Sequence, residues 1–130
     1  MTGVQTCALP IYACVTVANW LGLGESNVET IPTADDNQMR LDALEDRLRA
    51  LARGGRRIAC IVATMGTTDA FGLDDLEGIV RVRDTLVRTE GLSYVPHVHA
   101  DAVIGWAWSV FTDYDFERNP LGFQIGRAHV

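Results

Sequence analysis

The sequence has no lysine: all eleven of its basic residues are arginines. Without an ε-amine, no side chain of this chain can form an imine with a carbonyl compound. Basic residues are also outnumbered, 11 against 17 acidic ones, for a net charge of −6. No basic patch interrupts that balance, which argues against nucleic acid and anionic membranes as partners. No apolar run reaches the roughly 18 residues of a membrane-spanning helix. The three cysteines, Cys7, Cys14 and Cys60, form no Cys-x-x-Cys pair. That spacing would have pointed to zinc or redox chemistry, and without it a reducing, cytoplasmic setting is the expectation. The opening MTGVQTCALP has neither a basic stretch nor a long apolar core, so it does not read as a signal peptide.

What remains is the composition of a globular protein, 48% hydrophobic and 22% charged. At 130 residues it holds at most one domain. The two ends stand apart. Gln5 to Ile11 can be coded CAG ACG TGT GCT CTT CCG ATC. The opposite strand of that DNA, read one base out of frame, encodes Ile-Gly-Arg-Ala-His-Val, which is the sequence from Ile125 to Val130. The string resembles a common sequencing adapter. Residues 1–11 and 125–130 are therefore expected to be artefacts, set aside in reading the fold, flanking a natural fragment over 12–124.

Within that fragment the periodicities alternate. Tyr12 to Leu23 reads as a helix, with Ala13, Val17 and Leu21 on one face and Gly22 and Gly24 as stops. GLGES lacks the third glycine of a nucleotide loop and closes a helix rather than opening one, which sets it aside. Asn27 to Thr33 reads as a short strand ended by Pro32. Leu41, Leu44, Leu48 and Leu51 mark a helix over 41–52 that Gly54 and Gly55 stop. Asp42 and Glu45 have capping-box spacing near its start. Arg47, Arg49 and Arg53 read as a solvated face rather than a phosphate site. Arg57 to Thr64 is a continuous apolar run, the pattern of a strand buried on both faces. A second helix follows, with Asp74 and Glu77 in capping-box spacing and Gly91 at its end. The order strand, helix, strand over 57–104 predicts a βαβ unit and an α/β fold with a parallel sheet. Such a sheet wants helices on both faces, and the fragment offers few, so the parent is expected to be larger.

The stretch Tyr94 to Gly105, YVPHVHADAVIG, carries the chemistry. If extended, it points His97, His99 and Asp101 to one face. Ionisable groups at the C-terminal end of a buried strand are where open α/β sheets place their sites. Three readings are open for these residues. They could be zinc ligands of a metal-dependent hydrolase, since histidine and carboxylate suit that ion. Asp101 alone could hold the ring nitrogen of a cofactor. Or the histidines are satisfied core residues and Asp101 caps a loop, as in a non-catalytic α/β domain.

Four stretches taken together resemble a known family. YACVTVANWLGLGESNV is similar to a segment His-Tyr-Ser-x-x-Lys-Ala-Ala-x-x-Leu-Gly-Ile-Gly. MRLDALEDRL is similar to an Arg-Met-Asp-x-x-x-Leu region. IVATMGTTDAFGLDDL resembles Ala-Thr-x-Gly-Thr-Thr-x-x-Gly-x-x-Asp-x-Leu, and VHADAVIG resembles His-Val-Asp-Ala-Ala-x-Gly. In this order they are those of the pyridoxal-phosphate-dependent amino acid decarboxylases, the group of aromatic amino acid and glutamate decarboxylases.

The resemblance implies a fragment of the large domain of a fold-type I enzyme, with pyridoxal 5'-phosphate as cofactor. The parent would be a carboxy-lyase turning an L-amino acid into its amine, a cytoplasmic homodimer. It implies that Asp101 bonds the cofactor's pyridine nitrogen. Thr68 would lie near the cofactor, His99 would support the aspartate, and Val103 would stand where the family has a small alanine under the ring. Asp74 matches a family aspartate, although its spacing to Glu77 points to helix capping. Ile11 replaces the family's stacking histidine. The family's Schiff-base lysine and phosphate-binding segment lie outside this sequence, so the fragment itself is expected to be inactive.

Overall fold

The structure, a computed structural model, describes residues 2–6, 12–67, 72–107, 115 and 118. Its elements alternate as the periodicities predict: β1 (Thr2–Thr6), α1 (Tyr12–Trp20), β2 (Val28–Ile31), α2 (Leu41–Arg53), β3 (Ile58–Thr64), α3 (Leu76–Thr89) and β4 (His97–Asp101). The four strands form one sheet in the order β2-β1-β3-β4. Every pairing in it is parallel. The α/β reading and the parallel β3–β4 pair of the βαβ unit stand.

One face of the sheet carries the core. Ile31 from β2 and Ile58, Ile61 and Ala63 from β3 meet Leu44, Leu48 and Leu51 of α2 and Ile79 and Leu86 of α3. The leucines at helical spacing in α2 put one stripe into this layer. Each of these buried aliphatic side chains contributes about 1.5–3 kcal/mol of transfer free energy. The polar side of α2 pairs instead. Arg47 forks onto Glu29 at 2.7 and 3.1 Å, and Arg49 meets Glu45 at 2.5 Å. The arginine run is therefore a carboxylate-bound surface, as expected, and not a phosphate site.

Among the described residues, the other face is covered only by α1. This corrects the reading of β3 as buried on both faces: Ile61, Ala63 and Thr64 are buried, whereas Ala59, Cys60 and Val62 are half-exposed. A continuous apolar run cannot tell whether its second face has a partner within the same sequence. Both capping boxes are also corrected. The residue preceding α2 is Arg40, which makes no side-chain cap bond, while Asp42 already lies inside the first turn and pairs with the Arg40 guanidinium. At α3 the cap is Asp75, whose Oδ1 accepts from the Gly78 amide at 2.8 Å. Asp74 stands one residue too early to reach that turn.

β4 begins at His97, later than Tyr94, because Pro96 has no N–H to give a ladder. Tyr94 is used differently. Its hydroxyl accepts from the Ile58 amide at 2.8 Å, and the Arg57 guanidinium lies 4.6 Å from its ring centre. Thr2–Thr6 form β1, which lies between β2 and β3. No helix among the described residues is long and apolar enough to cross a membrane.

Candidate functional site

The site is built by the alternation of β3 and β4. In β3, Ile61 and Ala63 go to the core, so Cys60 and Val62 point the other way. The register pairs Cys60 with His97, Val62 with His99 and Thr64 with Asp101. His97, His99 and Asp101 therefore share the face of Cys60 and Val62. Opposite them lies α1, contributing Ala13, Cys14 and Val17. Together these groups enclose a groove of about 460 Å³, within the size range of small-molecule sites. Its walls are mostly apolar, with His97 and His99 on one side, and Asp101 is the carboxylate in them.

Asp101 ends β4 and is half-buried. Its backbone is fixed by the Met65 amide, which donates to its carbonyl at 2.8 Å. Its carboxylate Oδ1 accepts from the Val103 amide at 3.4 Å, a long bond within the turn that follows. The loop facing it from β3 is close-packed on backbone. Gly66 has φ +112°, a conformation that side chains disfavour. A Cβ on Gly105 would collide with the Met65 carbonyl oxygen.

His97 and His99 are exposed on this face, with ring centres 6.5 Å apart and planes tilted by 32°. They are not satisfied core histidines. Nor does the fold complete a zinc site around them: among the described residues no three His, Cys, Asp or Glu groups converge as ligands. Burial pushes the Cys60 thiol pKa up, only partly opposed by a backbone bond at His99.

Of the residues the sequence singled out, the structure brings His97, His99 and Asp101 to the groove. Val103 lies in the turn beyond, 80% exposed, with its amide rather than its side chain toward Asp101. Thr68 lies outside the described residues, as do Ile11 and His129. The neighbouring Thr67 accepts from the Gly72 amide at 3.2 Å through its hydroxyl. The sequence reading missed the groove walls Cys60 and Val62. Their signal was the strand alternation itself, hidden because both faces of β3 are apolar.

No family model matches the chain. Comparison with individual proteins is informative. The chain is 34% identical over 94 residues to L-2,4-diaminobutyrate decarboxylase of Acinetobacter baumannii, covering 72% of this chain and 17% of that protein. It is 33% identical over 100 residues to L-tyrosine decarboxylase of Enterococcus faecium, covering 77% and 16%. Among solved structures it matches the glutamate decarboxylase domain of a diaminobutyrate-pyruvate transaminase and L-2,4-diaminobutyrate decarboxylase from Vibrio parahaemolyticus. That match has a TM-score of 0.65 and 27% identity, over 80% of this chain and 21% of that one. The chain thus spans about one sixth of the length of the curated relatives it matches. Its sequence and its parallel-sheet fold assign it to the amino acid decarboxylases, of which it spans one segment.

Proposed function

We propose that this chain is part of a pyridoxal-phosphate-dependent carboxy-lyase that converts an L-amino acid to its amine. The observation that carries the reading is the half-buried Asp101 in the wall of an aliphatic groove at the C-terminal edge of a parallel sheet. Residues 12–124 are the natural segment, and 1–11 and 125–130 come from other DNA. The working enzyme is a cytoplasmic homodimer.

The residues present fit such a cofactor. A flat aromatic ring suits aliphatic walls, and a carboxylate suits its one basic nitrogen. Bound there, pyridoxal phosphate supplies an electron sink for the pair left behind when CO2 departs. Asp101 would hold a proton on the ring nitrogen, since a nearby anion favours the cationic form. Cys60, Val62 and the α1 side chains would exclude water and strengthen that attraction. His99, beside Asp101 on the groove wall, would support it by hydrogen bonding, with Thr68 and Val103 flanking the ring. No side chain of this chain can supply the amine that tethers the cofactor, so that lysine belongs to another part of the enzyme.

The test is to recover the reading frame around codons 12–124, express the encoded protein and assay amine and CO2 release from L-amino acids with added cofactor. Activity is expected in the full protein and not in the 130-residue chain. Asp101→Asn should lower kcat by about 10²-fold or more, the scale of losing one electrostatic stabiliser. A frame without lysine beyond Asp101, or full activity in Asp101→Asn, overturns the reading.

A further inference from the structure

Asp74 is buried, at 7% exposure, on the border of the hydrophobic core. A carboxylate in such a place is costly unless its lone pairs are engaged. They are engaged by two distant backbone segments. Oδ1 accepts from the Met39 amide at 2.7 Å, and Oδ2 accepts from the Thr64 amide at 2.7 Å. The Asp74 amide in turn donates to the Thr64 carbonyl at 2.9 Å. One side chain therefore ties the segment entering α2, the C-terminal end of β3 and the start of α3. Charge-assisted bonds of this kind are about twice as strong as neutral ones.

Thr64 is the last residue of β3 and pairs with Asp101 in the register. The next residue, Met65, gives its amide to the Asp101 carbonyl at 2.8 Å. From Asp74 to Asp101 there is thus one intervening strand end. That end has little slack. The Gly66 amide donates to the Gly72 carbonyl at 3.1 Å, and a Cβ on Gly72 would stand 2.7 Å from the Asn37 carbonyl oxygen. These contacts brace the strand end that lies beside β4.

We propose that Asp74 is a positioning residue that acts through Thr64 and Met65 to hold Asp101 at the groove. Its significance for catalysis rests on the reading of Asp101 given above. Helix capping is not its role, because Asp75 already caps α3.

The experiment is residue-resolved amide exchange by NMR on the 15N-labelled chain, in wild type and Asp74→Asn. The asparagine keeps the shape but sets an N–H2 group against one of the two amides. Met39 or Thr64, together with Met65 and Val103, should exchange about tenfold or more faster in the variant, while Leu44 and Ile61 keep their rates. A purely structural role would speed all of these equally, and that result overturns the proposal. So does no change at Met65 and Val103. Wild type gives a check should the variant not fold. The Met39 amide, in a loop, should exchange about as slowly as Ile61, and exchange as fast as at Asn37 sinks the idea.

Pyridoxal 5'-phosphate titrated into the chain, followed by fluorescence, separates this proposal from the cofactor reading. Asp74→Asn and Asp101→Asn should each weaken binding, and the double variant should bind no worse than Asp101→Asn alone. Full additivity counts against positioning through Asp101. No binding by wild type, with the exchange pattern as expected, means that this segment alone does not hold the cofactor and leaves the positioning of Asp101 standing.

Discussion

Arg53 at the end of α2 grips Glu90 at the end of α3 through a fork, Nε at 3.0 Å and Nη2 at 2.8 Å from the two carboxylate oxygens. The bond closes the far end of the helix pair that covers the core. The Arg53 guanidinium holds the Glu90 carboxyl below the usual glutamate range. In the unfolded chain Glu90 binds a proton more readily than in the folded one. Stability from this pair is therefore present above the ordinary glutamate pKa of about 4.5 and is lost as pH falls through the lowered folded value. Asp42, held down by Arg40, adds a share with the same sign. Urea unfolding between about pH 3 and 6 should show a shallower pH dependence in Glu90→Gln than in wild type. Arg53 is exposed while the Glu90 side chain is largely covered, so salt should shrink the difference only in part. Parallel curves for the two proteins would show that the fork is silent in stability.

Leu48 is fully buried between the helices and the sheet. Leu48→Ala should cost about 2–5 kcal/mol of unfolding free energy, the sum of lost transfer energy and a cavity. Denaturant titration of the two proteins measures it. A loss under about 1 kcal/mol would mean that the core collapses around the gap.

Tyr94→Phe removes one oxygen and leaves the Ile58 amide without that acceptor. The expected loss is about 1–3 kcal/mol, the penalty of an unsatisfied donor near the core. Amide exchange at Ile58 should rise in step. An unchanged rate there would show that water takes over the bond.

Gly105→Ala sets a Cβ against the Met65 carbonyl oxygen, a backbone atom that cannot rotate away. Overpacking of this kind costs about 1–3 kcal/mol. The same loop presents Met65 to Asp101, so the variant should also weaken pyridoxal 5'-phosphate binding, read by the same fluorescence titration. Tight binding in a destabilised Gly105→Ala protein would uncouple the loop from the site.

Much of the fold lies in local signals. The leucines of α2 at helical spacing, the glycines at 54 and 55 and the apolar run of β3 each act on their own neighbours. Element type, order and stops could be read from them. Cap identity could not be read in the same way. Asp42 with Glu45 and Asp74 with Glu77 have the right spacing, but the first helical residue is fixed by where the chain meets the sheet. A shift of one residue hands the cap to Asp75 and releases Asp74 to another bond. An adjacent pair of aspartates before a helix was the one clue, since a single cap needs only one of them.

The sequence by itself determined the α/β alternation, the placement of His97, His99 and Asp101 on one strand face, and the absence of an amine to tether a cofactor. These are properties of residue type and short-range periodicity. The tertiary structure decided which side of the sheet that face meets, because only strand register sets Cys60 and Val62 beside His97 and His99 under α1. It also decided the work of Asp74, whose partners lie 35 and 10 residues away. Spacing in sequence carries no information about bonds of that reach; they exist only once the chain has closed on itself.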